Sequence, residues 1–533
     1  LGMGAVHRSE AWEKFGRKIF LLALSREGGI WEDLLTDSNG QYAELQSGRY
    51  FLQPGWEAYA TPFKHPVLAP GSSERFAESW GVLRRREDLR EDGPSPVARP
   101  LAAPEGFDWD GAYGLYVRGS QHFAMGDDLA EAERLLNASL ALAPDFAPAL
   151  DALAAIEMRR GDYAAVHGLC RRALAVSTVD EDANYLDGYA YFAEGDDVSA
   201  RDRLGMATFG TKNRSAAYAL IARTFLRSGE SEKALKAAAK SLASNAWNLD
   251  ALLVKAIVDR EAAKGILEQY PLFHAVRREL EGDSFREFVR NENPDETYVE
   301  IGSWYEESGL FDRAAEMYSF AHESLIAMIR LAYLKRDVSM LSAASGLPVD
   351  GVAPFRRETL PALRWAVENS GDWRWRYCLA VLLASFAKDA EAVKLLDSCA
   401  DEPDSAVFYL FRSLFRSGAE KYRDLVLAQS HGDSWRVGRQ MCDYFAAGGD
   451  LARYLSVAAG YVKKYPLCNP LQLAYADALE KNGRYDECLS FLRGVTILPS
   501  EFSGGATAIW QRAQKALGME PTWPENLGQG EPY

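Results

Sequence analysis

The chain has 533 residues, enough for two or more domains or one long array, and its 48% hydrophobic and 26% charged content is that of an ordinary folded protein. Its net charge of −16, with no basic run able to track a phosphate backbone, excludes nucleic acid as an expected partner. No apolar stretch approaches the roughly 18–20 residues of a membrane span, so no membrane partner is expected either.

Residues 1–92 read differently from the rest. Residues 18–24 carry a short buried-strand pattern, Gly28-Gly29 is a turn, residues 30–35 are a second apolar stretch, and Asp37-Ser38-Asn39-Gly40 is another turn. Residues 41–51 alternate as a strand, with Tyr42, Glu44 and Gln46 on one face and Ala43, Leu45 and Ser47 on the other. A further strand is predicted around Trp80 and Leu83, ahead of a charged run. Short strands joined by such turns imply an antiparallel sheet, too small to close a sandwich by itself. The prolines of residues 93–106 forbid helix and ladder bonding and make that stretch a linker and domain boundary.

From residue 107 to 260 a glycine-centred turn recurs. Gly161, Gly195 and Gly229 stand 34 residues apart, and Gly126 precedes Gly161 by 35, which fits one inserted residue at Asp127-Asp128. A 34-residue period with a turn in its middle is the mark of a two-helix repeat that stacks into a solenoid. In the unit from Glu181, Gly188, Tyr191, Ala200 and Ala207 match the small–large–small pattern of the tetratricopeptide repeat, in which small residues let two helices approach and an aromatic fills the gap.

Residues 261–520 read as degenerate helical repeats. A helix from Leu249 is followed by residues 261–270, too short for a full second helix, and 273–291 form an irregular helix. Ile301, Gly302 and Tyr305, the Gly309 turn, and Phe311, Ala314 and Tyr318 restore the pattern. Spacing is loose over 331–350, and residues 352–355 look extended. Helices are predicted at 361–369, 375–388, 390–398, 406–416, 422–429 and 436–446. A last hairpin spans 471–493 with its turn at Gly483, a capping helix spans 506–517, and the tail 521–533 is loose or draped over the last repeat. Trp304, Tyr305, Trp373, Trp375 and Tyr377 are read mostly as filler between helices.

The strings Gly2-Met3-Gly4-Ala5-Val6-His7-Arg8, Gly16-Arg17-Lys18-Ile19-Phe20, Ile30-Trp31-Glu32-Asp33-Leu34-Leu35 and Tyr42-Ala43-Glu44-Leu45-Gln46-Ser47-Gly48-Arg49 resemble the distal end of a galactose-mutarotase-like β-supersandwich. More closely, with Ala353-Pro354-Phe355-Arg356 and Ile497-Leu498-Pro499-Ser500-Glu501, the chain is similar to bacterial proteins that join such a sandwich to a tetratricopeptide array, a family without a settled activity. The fold class expected is therefore mostly α, a tetratricopeptide-type α-solenoid preceded by a small antiparallel β segment belonging to a supersandwich. The missing sandwich strands would come from upstream in the same protein or from a second chain.

The resemblance implies a carbohydrate-binding or carbohydrate-active protein, glycoside hydrolase-like or aldose-epimerase-like, taking a sugar or oligosaccharide on the sheet. Its solenoid would clasp the sandwich or mediate a homodimer. Glu44 is the expected acid/base residue, able to move a proton to or from a ring or glycosidic oxygen. Glu32 or Asp33 is the second carboxylate, and no spacing rule selects between them. His7, Arg8, Trp31, Gln46 and Arg49 are the expected sugar-binding residues. The alternative is a non-enzymatic scaffold that binds a protein partner in its concave groove, with Glu44 and Gln46 merely solvent-facing residues of an amphipathic strand.

The six cysteines are scattered, with no close pair and no Cys/His cluster, which argues against a disulfide framework or a structural zinc site. They read as reduced thiols of a cytoplasmic protein. His122, His167, His274, His322 and His431 have no histidine four residues on, and no Walker motif, dinucleotide fingerprint or nucleophile elbow occurs. No metal and no cofactor is expected. Leu1 is not an initiator and no signal-peptide pattern follows it, so the chain reads as a fragment or a processed piece.

Overall fold

The computed structural model describes residues 4–9, 16–21, 43–48, 76–83, 103–126, 128–291, 293–497, 505–522, 524, 526 and 527. The chain forms two compact units, Leu1–Glu10 with Gln53–Cys399, and Ala11–Leu52 with Ala400–Tyr533.

Among the described residues, four strands precede the helices: β1 (Gly4–Ser9), β2 (Gly16–Leu21), β3 (Ala43–Gly48) and β4 (Glu78–Leu83). β2 and β3 pair antiparallel, Gly16 opposite Gly48 and Leu21 opposite Ala43. β1 pairs instead with β4, Gly4 opposite Leu83 and Ser9 opposite Glu78, in a separate two-stranded sheet. Turn residues mark where a chain reverses, not which strand it returns to: β1 was not anticipated as a strand, and its partner is β4 rather than the next strand along the chain. The stretch expected at residues 30–35 lies outside the described residues.

The helices of the first unit pair as antiparallel hairpins. α1 (Ala112–Met125) packs on α2 (Leu129–Leu142), α3 (Ala147–Arg160) on α4 (Tyr163–Val176), α5 (Glu181–Glu194) on α6 (Asp197–Ala207), and α7 (Arg214–Arg227) on α8 (Ser231–Ser244). One turn recurs in them. Gly126, Gly161, Gly195 and Gly229 all take the left-handed backbone that lets a helix end abruptly. The aspartate that follows starts the next helix: Asp162 accepts from Ala165 N at 3.0 Å, Asp196 from Ser199 N at 3.0 Å, and Asp128 from Glu131 N at 2.8 Å. Within a hairpin the small residues are needed for approach. A Cβ on Gly188 would lie 2.7 Å from Leu204, and one on Gly302 would lie 2.5 Å from the Tyr318 ring. Alanines including Ala132, Ala149, Ala173, Ala190, Ala200 and Ala207 are fully buried between the helices.

Beyond Ser244 the repeats loosen. α9 (Leu249–Val258) and α10 (Arg260–Gln269) meet at Asp259, which accepts from Glu261 N and Ala262 N and starts a second helix of ten residues, short of the 14 in α2, α4 and α8, as the spacing led one to expect. α11 (His274–Glu281) runs into a 3₁₀ turn over Gly282–Phe288, the irregular helix foreseen there. α12 (Pro294–Glu307) and α13 (Phe311–Phe320) form a regular hairpin, followed by α14 (Leu325–Lys335) and α15 (Ser339–Ala344). Residues 352–356 have no regular secondary structure and lead through a 3₁₀ turn at Arg357–Thr359 into α16 (Leu360–Asn369), α17 (Trp373–Ser385) and α18 (Asp389–Ser398). Trp375, Tyr305 and Tyr377 are buried between helices, as filler should be.

In the second unit α19 (Ala406–Ser413) packs on α20 (Gly418–Gly432), α21 (Trp435–Ala447) on α22 (Leu451–Lys464), and α23 (Asn469–Lys481) and α24 (Tyr485–Arg493) are capped by α25 (Gly505–Ala516). α22 was not anticipated, although Gly449 and Asp450 repeat the glycine–aspartate turn, with Asp450 accepting from Arg453 N at 3.1 Å. The described part of the tail lies on the last repeat: Asn526 Nδ2 donates to Leu492 O at 2.7 Å, Trp510 Nε1 donates to Thr522 Oγ1 at 3.2 Å, and Leu527 is buried. The fold is mostly helical, a tetratricopeptide-type α-solenoid preceded by a small antiparallel β segment.

Candidate functional site

The residues expected to bind sugar fall on both strand pairs. Glu44 and Gln46 project from one side of β3, and Gln46 Nε2 donates to Glu44 Oε1 at 2.6 Å. His7 lies opposite Trp80, with its ring 4.8 Å from the indole and its Nε2 3.6 Å from Glu78 Oε2. Glu78 and Trp80 were not among the expected site residues; only the β1–β4 register brings them to His7. Arg8 lies opposite Ser79 on β1. Glu32, Asp33, Trp31 and Arg49 lie outside the described residues. His7 belongs to the first unit, whereas Glu44 and Gln46 belong to the second.

The first helices of successive hairpins line one side of the first unit, and that side is partly filled by the chain's own later residues. Arg160, at the end of α3, donates through Nε to Phe386 O at 2.9 Å and pairs with Glu133 and Glu157. Arg223 on α7 donates to Ser308 Oγ at 2.9 Å and to Glu307 Oε2 at 3.1 Å, its guanidinium 4.8 Å from the Trp304 ring centre. Arg227 donates to Glu307 O and to Asp197 Oδ1. Arg357 donates to Tyr189 OH at 2.7 Å and stands 3.2 Å from Glu358 and 3.6 Å from Glu307. Burial works against the Arg357 charge, but Tyr189, Glu358 and Glu307 more than offset it and hold its pKa above the ordinary arginine value. Burial likewise pushes the Tyr185 and Tyr189 phenols up. This side of the first unit is thus occupied in part by Trp304, Glu307, Ser308 and Arg357 and by the backbone carbonyl of Phe386.

Two further groups sit between neighbouring repeats. His167 on α4 bridges to α5, with Nδ1 2.6 Å from Asp187 Oδ1 and Nε2 3.0 Å from Glu194 Oε2. Burial lowers its pKa, but the two carboxylate hydrogen bonds outweigh that and raise it. Asp151 on α3 is buried with Oδ1 unpartnered, and burial, with Asp180 and Asp182 nearby, pushes its pKa up to about 8.

What stays open in the first unit is a hollow of about 320 Å³ beside Tyr185, Tyr189, Phe355 and Arg357; the second unit is more open. A hollow of about 600 Å³ over the α19–α20 turn and the end of α21 adjoins one of about 410 Å³ between α20 and α22, and the two share Phe445 and Arg453. Tyr422 stacks on Tyr444 at 5.4 Å and 21°, and the Arg453 guanidinium lies 5.9 Å from the Phe445 ring centre. Gln429 Nε2 donates to Tyr461 OH at 2.9 Å, and Tyr461 donates to Asp433, which also pairs with Lys464 at 2.7 Å. Burial, with Asp433 adding to it, raises the Tyr461 phenol. Aromatic faces beside charges of both signs can hold an amphipathic peptide segment.

A protein-family model described as a domain of unknown function (DUF5107) matches residues 1–82. No curated protein matches the chain. Among solved structures, yeast Tom70 is similar at 13% identity and a TM-score of 0.24, covering 76% of this chain and 93% of that one. The Cut9–Hcn1 hetero-tetramer of the APC/C is similar at 11% identity and a TM-score of 0.27, covering 76% of this chain and 90% of that one. Among the described residues no helix is long and apolar enough to cross a membrane. Among them, too, no three His, Cys, Asp or Glu side chains stand where they could hold a metal ion.

Proposed function

We propose that this chain is a non-enzymatic helical-repeat scaffold that binds a segment of a protein partner in the hollow formed by α20, α21 and α22. The observation that carries this reading is the contrast between the units. On the corresponding side of the first unit its own arginines and glutamates leave a smaller hollow of about 320 Å³ beside Tyr189 and Arg357, whereas the second presents two adjoining, aromatic-lined hollows of about 600 and 410 Å³. Tyr422 and Val426 stand on the exposed rim of that surface, one turn apart on α20. Partners captured by the full chain would be compared with those captured by Tyr422→Ala and Val426→Asp. A partner held through this hollow should bind the variants at least tenfold more weakly, about 1.4 kcal/mol or more. Equal binding by wild type and both variants would remove the hollow from consideration.

The carbohydrate reading stands second. What supports it is the resemblance of the strings in residues 2–49 and the hydrogen-bonded pair of Glu44 and Gln46 on one face of β3. A thermal-shift screen against mono- and oligosaccharides separates the two readings. A sugar at ~100 times its dissociation constant should stabilise the fold by about 2.7 kcal/mol. A shift that Glu44→Ala abolishes would favour the sheet, and silence across the panel would leave the scaffold.

A further inference from the structure

The connections between hairpins of the first unit carry a feature that the repeat does not require. From α2 to α10, each second helix ends on, or within three residues of, an exposed apolar side chain: Leu142 at α2, Val176 at α4, Phe209 after α6, Trp247 after α8 and Leu272 after α10. Val179 and Leu249 stand beside two of them, and all seven are between 54% and 81% exposed. Hydrogen bonds at the connections from Pro144 to Asn248 tie successive repeats together, and Leu272 follows at the next connection in the same repeat position. Arg172 Nη2 donates to Pro144 O at 2.8 Å, Lys212 Nζ and Asn213 Nδ2 donate to Asp182, and Asn248 Nδ2 donates to Ser215 Oγ at 3.0 Å.

We infer that this edge is the contact surface for a second copy of the same chain, with the two edges antiparallel about a twofold axis near Phe209. Three observations select that occupant. The first is spacing: the knobs recur with the repeat, and an identical edge matches their interval by construction. The second is area: summed over the row, seven such side chains present roughly 800–1,000 Å² of surface, what one partner contributes to a standard stable interface. The third is charge. The chain as a whole carries −16 and repels itself, yet the connections hold charges of both signs that neutralise each other locally, as Lys212 does Asp182 at 2.6 Å, so the edge itself is not strongly anionic. A twofold relation makes the contact isologous: Phe209, the middle knob, meets its own copy, and Leu142 meets Leu272 of the other chain.

The test is sedimentation of the full chain at ~1–100 µM together with cysteine pairing. The wild type should sediment as a dimer and Phe209→Glu with Trp247→Glu as a monomer, with unchanged helical circular dichroism. Leu272→Glu alone, at the end of the row, should weaken the dimer at least tenfold and serves if the double variant does not fold. In a Cys468→Ser background, Phe209→Cys should cross-link to itself, and Leu142→Cys should cross-link to Leu272→Cys only when the two chains are mixed. A wild type that stays monomeric across the range overturns the inference and gives the edge to another partner. A dimer untouched by the glutamates, or cysteines that never pair between chains, overturns it equally.

Discussion

Asp151 is a carboxyl placed where its charge is unwelcome. Burial and the neighbouring Asp180 and Asp182 move its pKa from 3.8 to about 8. The folded chain therefore keeps a proton that the unfolded chain releases at much lower pH, so stability is full below the ordinary aspartate value and is lost as pH rises through the interval up to about 8. Urea midpoints measured from pH 5 to pH 8 should fall for the wild type and fall less for Asp151→Asn; identical slopes would mean that the carboxyl is not protonated in the fold. His167 acts in the same direction. Its raised pKa makes the bridge to Asp187 and Glu194 strongest below the ordinary histidine value, and the bridge weakens as pH rises through the folded-state pKa. Gly188 shows the steric counterpart. A methyl there meets Leu204, backbone nitrogen included, within 3 Å, so Gly188→Ala should cost about 1–3 kcal/mol by thermal or urea unfolding. A neutral result would show that α5 and α6 can part without loss.

At the scale of the element, the hairpin turn decides what could be read in advance. Where the turn is glycine followed by aspartate, as at Gly161-Asp162 and Gly195-Asp196, period, boundary and packing pattern were all legible. The same turn chemistry fails where the chain places other residues in the left-handed region: Arg336 (φ 53°), Ala387 (φ 55°) and Ala400 (φ 47°). Only Arg336 falls in 331–350, where the repeat spacing looked loose; the helix expected over 375–388 runs past Ala387, because a side chain at such a turn leaves no compositional mark. Left-handed backbone costs a non-glycine residue roughly 1–2 kcal/mol. Ala387→Gly should accordingly stabilise the protein by about 0.5–1 kcal/mol net of the added unfolded-state entropy, read as a higher urea midpoint, whereas a lower midpoint would show that the alanine methyl packs usefully. In the strands, period-two alternation was enough to put Glu44 and Gln46 on one face. Nothing local announces that His7 meets Glu78 and Trp80, because that depends on which strand β1 chooses. The partly filled side of the first unit was hidden for the same reason: Arg357 and Tyr189 are 168 residues apart.

At the scale of the whole molecule, a solenoid is ordinarily a sum of neighbours, each repeat touching only the next. The first unit departs from that rule. Arg160, Arg223 and Arg357 tie residues of α3, α5 and α7 to the end of α12, the residues beyond it and the residue after α17. Arg223→Ala removes a buried guanidinium from Ser308 and from Glu307, leaving Glu307 only the more distant Arg357 at 3.6 Å, and should cost about 3 kcal/mol. Hydrogen exchange would show whether the effect is shared. Amides of α5, α7 and α12 should lose protection together, and loss confined to α7 would return the unit to repeat-by-repeat behaviour.

Those long ties also set a timetable for a chain that is made from one end. Arg160 waits for Phe386, 226 residues further on. At a synthesis rate of ~5–20 residues per second this is a delay of about 10–45 s. During it the early hairpins have already formed, but their arginines and tyrosines face an unoccupied trough. A newborn first unit therefore spends a sizeable part of its synthesis offering a charged and aromatic cleft to whatever else is in the cell. Its dependence on folding helpers should be greatest for chains stalled or truncated before residue 304.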